Sequence, residues 1–237
     1  MSISNKVILL TGASKGIGRQ LALTLSEMGN HLGLVARSEA ELSTLQVECE
    51  KKGSKCLIFV GNVADENFVK KAVASTLDAF GCIDFMINNA GYGIFGPTET
   101  YSSEQWSDLY DTNVKGTFLF CKEVLQSMKT AGSGYIINIA SDVAKRVFDG
   151  GALYCSSKFA QEAFSAALRK EVRKHGIKVS VVYSGLVDTS FHGTPIGKEK
   201  EGWLTPEDMT NAIVFMMAQP KHVVIDELMI HPLNQEY

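Results

Sequence analysis

Val7-Ile8-Leu9-Leu10-Thr11-Gly12-Ala13-Ser14-Lys15-Gly16-Ile17-Gly18 opens with four consecutive apolar residues, breaks into three glycines and runs on into a helical pattern. An unbroken apolar run reads as a strand covered on both faces, and the glycines permit a sharp turn from strand into helix. That order sets a helix N-terminus, with its unpaired N–H groups and positive dipole end, at the end of a strand. It is the local arrangement that binds the pyrophosphate of a dinucleotide. The glycine spacing here is GxxxGxG, at positions 12, 16 and 18.

The rest of the chain repeats the alternation. Short β-rich runs at 7–10, 31–36, 56–60, 83–87, 135–140, 178–182 and 223–230 are separated by helical patterns at 18–28, 39–52, 66–80, 105–128, 153–174 and 206–218. Strands alternating with helices predict an α/β fold on a parallel sheet. Asp65 and Thr205 suit helix N-caps, and Gly29, Gly53, Gly81 and Gly176 suit helix stops. No repeat or Pro/Ser-rich linker divides the chain, so 1–237 is expected to be one domain. The polar, glycine-containing stretch at about 188–203 follows a strand end, where ligands bind in such sheets, and is expected to form a short substrate lid.

Composition excludes several other classes. A hydrophobic content of 45% over 237 residues suffices for a single core, and a formal charge of −3 supplies no basic field for nucleic acid. Five scattered cysteines without CxxC spacing suit reduced thiols rather than a disulfide framework or a zinc site, so no metal is expected. The chain lacks a signal-peptide layout and a membrane-length apolar run, and a cytoplasmic location follows as an expectation.

The second strand pattern ends Val35-Ala36-Arg37-Ser38. An NAD site carries a carboxylate near this position for the ribose hydroxyl; an arginine instead suits the 2′-phosphate of NADP. Lys15, inside the glycine turn, adds a second charge, so the expected cofactor is NADP(H). Later strand ends supply Asn62-Val63 and Asn88-Asn89-Ala90-Gly91, small polar groups suited to adenine and ribose, although each run alone is equally ordinary turn chemistry.

Tyr154-Cys155-Ser156-Ser157-Lys158 sets a phenol and an ammonium one helical turn apart, thirteen residues after Ser141. Reducing a carbonyl requires a hydride on carbon and a proton on oxygen, and a tyrosine whose phenolate is favoured by a nearby ammonium is a suitable proton donor and acceptor. Ser141 closes a predicted strand, where its hydroxyl can orient a substrate oxygen.

TGASKGIG at 11–18, NNAG at 88–91, Asn113, Ser141 and YCSSK at 154–158 together resemble the short-chain dehydrogenase/reductase family, over essentially the whole chain. The resemblance implies a Rossmann-type, doubly wound sheet of about seven parallel strands flanked by helices. It implies Asn113, Ser141, Tyr154 and Lys158 as the catalytic set, with Asn113 shaping a helix bend and joining a water relay to Lys158. It further implies Gly12, Ser14, Lys15, Gly16, Ile17, Gly18, Arg37, Asn62, Val63, Asn89, Ala90, Gly91, Tyr154, Lys158 and Thr189 around the cofactor, and a homotetramer or homodimer. Two positions depart from the common pattern: Asn62 stands where an aspartate is frequent, and Tyr183-Ser184-Gly185 where Pro-Gly usually precedes the lid.

The expected activity is hydride transfer between NADP(H) and a ketone or secondary alcohol, a small keto or hydroxy acid or a 3-oxoacyl thioester being candidate substrates. Tyr92, Phe95, Val143, Phe148, Leu153, Leu186, Phe191 and Trp203 predict an apolar substrate cavity. An acyl carrier protein would require a basic docking patch; Lys145-Arg146 and Arg169-Lys170 are the candidates, too ordinary to support it. The competing reading is a dinucleotide-binding sensor or scaffold without turnover. A serine hydrolase is disfavoured, since no GxSxG elbow occurs.

Overall fold

The computed structural model describes residues 3–192 and 201–236. Seven parallel strands form one sheet in the order β3-β2-β1-β4-β5-β6-β7. They are β1 (Val7–Thr11), β2 (His31–Ala36), β3 (Cys56–Val60), β4 (Phe85–Asn88), β5 (Gly134–Ser141), β6 (Ile177–Ser184) and β7 (Glu227–Ile230). The helices are α1 (Gly16–Glu27), α2 (Glu39–Lys51), α3 (Glu66–Phe80), α4 (Ser103–Tyr110), α5 (Gly116–Ala131), α6 (Ala152–Val172) and α7 (Pro206–Met217).

Strand alternation divides the core. Ile8, Leu10, Leu32 and Leu34 pack with Leu21, Leu25 and Leu45 of α1 and α2 and with Ile213 and Met216 of α7. Leu9, Met86, Ile136 and Val179 point the other way, onto Val69 and Val73 of α3, Phe120 and Val124 of α5 and Leu168 of α6. Covering both faces explains why β1 reads as a continuous apolar run. Each such leucine or isoleucine contributes about 1.5–3 kcal/mol through burial.

The predicted caps are in place. Asp65 accepts from the backbone N–H groups of Asn67 and Phe68, Thr205 forms a capping box with Asp208, and Gly81 ends α3 in the left-handed region. Several predicted boundaries move by two or three residues, β4 for example beginning at Phe85 and β6 ending at Ser184, and two elements change more. The last strand begins at Glu227 rather than 223, because carbonyls of the preceding segment are taken by side chains: Ile225 by Ser180, Asp226 by Arg169 and Val223 by Lys178. The helix predicted over 105–128 is α4 and α5 joined by a π turn at Asp111–Lys115. Asn113 lies inside that turn, where the Thr117 hydroxyl donates to its carbonyl at 3.0 Å.

Because the chain winds outward in both directions from β1 and β4, the carboxyl ends of these two strands diverge into a crevice, the position at which open α/β sheets hold ligands.

Candidate active site

A cleft of about 630 Å³ opens along this carboxyl edge. One end is the turn after β1. Lys15, the N-cap of α1, is in extended conformation and makes no side-chain cap, so the first N–H groups of the helix are left for a ligand. Gly12, Ser14, Lys15, Gly16 and Ile17 line the cleft, whereas Gly18 does not. The reason for glycine at 18 is internal: a Cβ there would collide with the Gly12 carbonyl and lie 2.7 Å from Asn89 Nδ2. Gly12 is likewise closed in, at φ +66° and with no room for a side chain, since a Cβ there would lie 2.9 Å from Ala90 Cα. These glycines let α1 and the end of β4 approach one another, and the anion-binding terminus results.

Arg37 and Lys15 both line this end. Lys15 pairs with Glu41 at 2.9 Å, while Arg37 is exposed and has no ion pair among the described residues. Asn62, Val63, Asn89, Ala90 and Gly91 follow along the wall. Part of their polar capacity is used locally: Asn62 Oδ1 accepts from Ala64 N at 3.0 Å, and Asn89 Nδ2 donates to the carbonyls of Thr11 and Gly12. Asn89 therefore ties the glycine turn to β4.

At the other end stand Ser141, Tyr154, Lys158 and Thr189. Ser141 ends β5, and the side chains of Tyr154 and Lys158 project from α6, so strand and helix fix their separation. Burial pushes the Tyr154 phenol above its ordinary range; the nearby Ser141 hydroxyl acts in the opposite sense, and the carboxylate of Asp142 adds to the rise. Burial also lowers Lys158, to about 8. Lys158 Nζ stands 5.8 Å from the Tyr154 ring centroid, and in the chain alone burial is the largest influence on the phenol. A phenol that keeps its proton is the form that can give one away.

Asn113 does not line the cleft. Its Oδ1 accepts from Tyr92 N at 3.1 Å, and its Nδ2 donates to Tyr92 O and to Ser157 Oγ, both at 3.0 Å. The amide holds the loop after β4 against α6 and so shapes the wall behind Gly91, where a Cβ would lie 3.1 Å from Asn113 Oδ1.

The substrate end is less apolar than the sequence suggests. Tyr92, Phe95, Val143, Phe148, Leu186 and Phe191 line it, but Leu153 is fully buried and Trp203 is not among the lining residues. Phe95 and Phe191 flank the Tyr154 ring at centroid distances of 5.4 and 5.7 Å, with Phe148 beside Phe95. Asp142, Arg146 and Gln235 add a polar floor that sequence reasoning missed. Asp142 Oδ2 accepts from Arg146 Nε at 2.9 Å and Gln235 Nε2 at 2.7 Å, and Gln235 Oε1 accepts from Leu186 N at 2.8 Å. The four-residue separation of Asp142 and Arg146 was the legible signal; Gln235 arrives from a distant segment and left none. The proposed basic patch is dispersed: Arg146 faces Asp142, Lys145 pairs with Glu162 and Glu227, and Arg169 pairs with Asp226. Of the lid expected at 188–203, residues 193–200 lie outside the described residues.

Among the described residues no helix is long and apolar enough to cross a membrane. Residues 6–199 match a family model described as short chain dehydrogenase. An uncharacterized oxidoreductase of Staphylococcus epidermidis is 32% identical over 232 residues, spanning 98% of this chain and 99% of the relative. Sepiapterin reductase of Chlorobaculum tepidum is 30% identical over 235 residues, 96% of each chain. An alcohol dehydrogenase from the archaeon Thermococcus sibiricus, solved in complex with 5-hydroxy-NADP, superposes with a TM-score of 0.93 at 30% identity, covering 99% of each chain.

Proposed function

The chain belongs to the short-chain dehydrogenase family, and from that premise we propose that it is an NADP(H)-dependent oxidoreductase interconverting a ketone and its secondary alcohol. The observation that carries this reading is one cleft holding Ser141, Tyr154 and Lys158 at one end and an uncapped helix N-terminus with Arg37 and Lys15 at the other.

The residues fit the cofactor. The turn Gly12 to Ile17 would hold the pyrophosphate, Arg37 with Lys15 the 2′-phosphate, Asn62 and Val63 the adenine, Asn89 to Gly91 with Tyr154 and Lys158 the ribose of the nicotinamide half, and Thr189 the carboxamide. Gly18 supports this site from behind. When bound, NADPH supplies the hydride. The protein supplies orientation and the proton. Ser141 and Tyr154 fix the substrate oxygen, Tyr154 Oη donates its proton to that oxygen in reduction, and the resulting phenolate is stabilised by the Lys158 ammonium. In the oxidative direction the phenolate takes the proton back. Asn113 acts on this set through the loop it anchors.

Phe95, Phe148 and Phe191 above the Asp142–Arg146 floor favour a ketone with a flat apolar flank and a hydrogen-bonding group. Small keto or hydroxy acids and 3-oxoacyl thioesters both stay on the substrate panel: Arg146 already has Asp142 as its ion-pair partner, and Lys145 and Arg169 of the candidate docking patches pair with Glu162, Glu227 and Asp226. The stretch 188–203 as a lid belongs to the same reading, supported by Thr189 and Phe191 on the cleft wall. A homo-oligomer is supported by exposed Trp106, Phe118 and Phe159 on α4, α5 and α6, and a cytoplasmic location by five free thiols.

The test is NADPH and NADH oxidation against aromatic ketones, diketones, keto acids and 3-oxoacyl thioesters. Tyr154→Phe should lower turnover by about 10²–10⁴-fold with NADPH binding retained. Unchanged turnover in that variant removes Tyr154 from the acid role, and tight NADPH binding without turnover across the panel favours the sensor instead.

A further inference from the structure

Lys158 meets no carboxylate among the described residues. Its Nζ donates to the Ile139 carbonyl at 3.3 Å and to Gln161 Oε1 at 3.1 Å. Gln161 lies three residues farther along α6 and is fully buried. Which end of its amide faces the lysine is fixed from behind. Thr117 gives its one hydroxyl hydrogen to the Asn113 carbonyl, so toward Gln161, at 3.0 Å, it can only accept. The Gln161 Nε2 must therefore be the donor, and Oε1 is left for the ammonium. A flipped amide would set N–H against N–H at one end of the bridge and oxygen against a committed hydroxyl at the other. The directed chain Lys158 to Gln161 to Thr117 to the Asn113 carbonyl joins α6 to the π turn without an intervening water.

We propose that Gln161 is a positioning residue for Lys158: a neutral acceptor, anchored through Thr117 on the π turn, that holds the ammonium in the cleft while leaving its charge uncancelled. The proposal rests on the reading in which Lys158 supports Tyr154. A carboxylate at 161 would pair with the ammonium and cancel its field at the phenol. An apolar side chain would leave a buried ammonium with one protein acceptor and favour the neutral amine.

The surrounding groups leave this role to Gln161. On α6, Tyr154 and Cys155 are neutral in their ordinary forms; from α5 and the π turn come Thr117 and Asn113, also neutral. From the end of β5 come Ser141 and Asp142, the latter bound to Arg146. Asn113 thereby gains a second connection to the site: its side chain shapes the wall and its carbonyl terminates the bridge.

The test titrates Lys158 directly, by NMR of protein labelled at the lysine Cε, the signal being assigned by its disappearance in Lys158→Met. In the unliganded protein, Gln161→Met should move the Lys158 midpoint down by about one pH unit and Gln161→Glu should move it up by about one unit. Thermal unfolding of each variant is recorded alongside; if Gln161→Glu does not fold, the near-isosteric Gln161→Met decides alone. With NADPH and a ketone that the wild type reduces, Gln161→Met should lower kcat about tenfold and shift the alkaline limb of its pH profile downward, with KM for the ketone changed less than about threefold. A Lys158 midpoint unmoved in the folded variants overturns the proposal. Absence of carbonyl turnover in the wild type would count against the oxidoreductase reading and leaves the NMR result intact.

Discussion

Ser141 Oγ donates its hydrogen to Asp142 Oδ1 at 2.9 Å, so the hydroxyl that faces the cleft is oriented by the carboxylate next to it in sequence. Asp142 is itself buried and held by Arg146 and Gln235, with His231 Nε2 at 3.4 Å. A side chain that contributes to the elevation of the Tyr154 phenol therefore also sets the direction of Ser141 and closes the floor of the substrate cavity.

Asp142→Asn should consequently shift the pH profile of alcohol oxidation to lower pH. A nearby anion disfavours phenolate, so removing it lets Tyr154 ionise more readily, and the rising limb that follows ionisation moves acidward. Asp142→Ala should in addition lower stability by about 2–3 kcal/mol in urea unfolding, since it strips Arg146 of its carboxylate; water on one side of the arginine keeps the loss below that of a fully buried pair.

Arg37→Ser tests the adenosine end. Loss of a charge-assisted contact to a phosphate is worth about 1.5–3 kcal/mol, which corresponds to a rise of roughly 10–100-fold in KM for NADPH. KM for NADH should change less than about threefold, because its ribose carries no phosphate for Arg37 to meet. Equal losses with both cofactors would place Arg37 in a structural role.

Much of this site was readable from residue order, for identifiable reasons. Strand ends and glycine turns are local, and a parallel sheet brings the ends of β1, β2, β4 and β5 to one edge, so Gly12, Arg37, Asn89 and Ser141 converge without knowledge of any side-chain contact. Tyr154 and Lys158 are visible for the same reason, being one turn apart on a helix. The π turn at Asp111–Lys115 left no mark in the apolar periodicity, because one extra residue in a turn hardly disturbs a predicted helix from 105 to 128; only the family resemblance implied a bend at Asn113. Nor was the junction of Asp142 with Gln235 visible: the two lie 93 residues apart and meet only when the segment after β7 returns to the cleft. Gly18 was legible as necessary, but for a different reason: it makes room for the Gly12 carbonyl.

That reason separates the glycines experimentally. Gly18→Ala drives a methyl into backbone and should cost about 1–3 kcal/mol or more in thermal unfolding, with NADPH affinity falling because the helix N-terminus is displaced. Gly53→Ala, at φ +89° with nothing within 4 Å of its Cβ, should cost only about 1 kcal/mol of backbone strain and leave NADPH affinity unchanged. Similar affinity losses in the two variants would contradict the assignment of Gly18 to the support of the site.

Lys158→Met should abolish turnover and yet stabilise the fold near neutral pH. The lysine moves from an ordinary 10.5 to about 8 because it is buried. Below pH ~8 it is charged in both folded and unfolded chains, and the folded state bears the whole desolvation cost, on the order of 3 kcal/mol for this displacement. Between about 8 and 10.5 the unfolded chain binds the extra proton, so stability rises with pH across that window as the buried amine becomes neutral. Methionine fills similar volume without charge. It leaves the Ile139 carbonyl and Gln161 Oε1 without their donor, which takes back about 1–2 kcal/mol. The net expectation at pH 7 is a gain of about 1–2 kcal/mol in urea unfolding, shrinking as the pH is raised toward 10.5. A variant that is less stable than the wild type at pH 7 would show that the two neutral acceptors hold the ammonium more strongly than burial opposes it, and the Lys158 midpoint measured by NMR should then lie near its ordinary value.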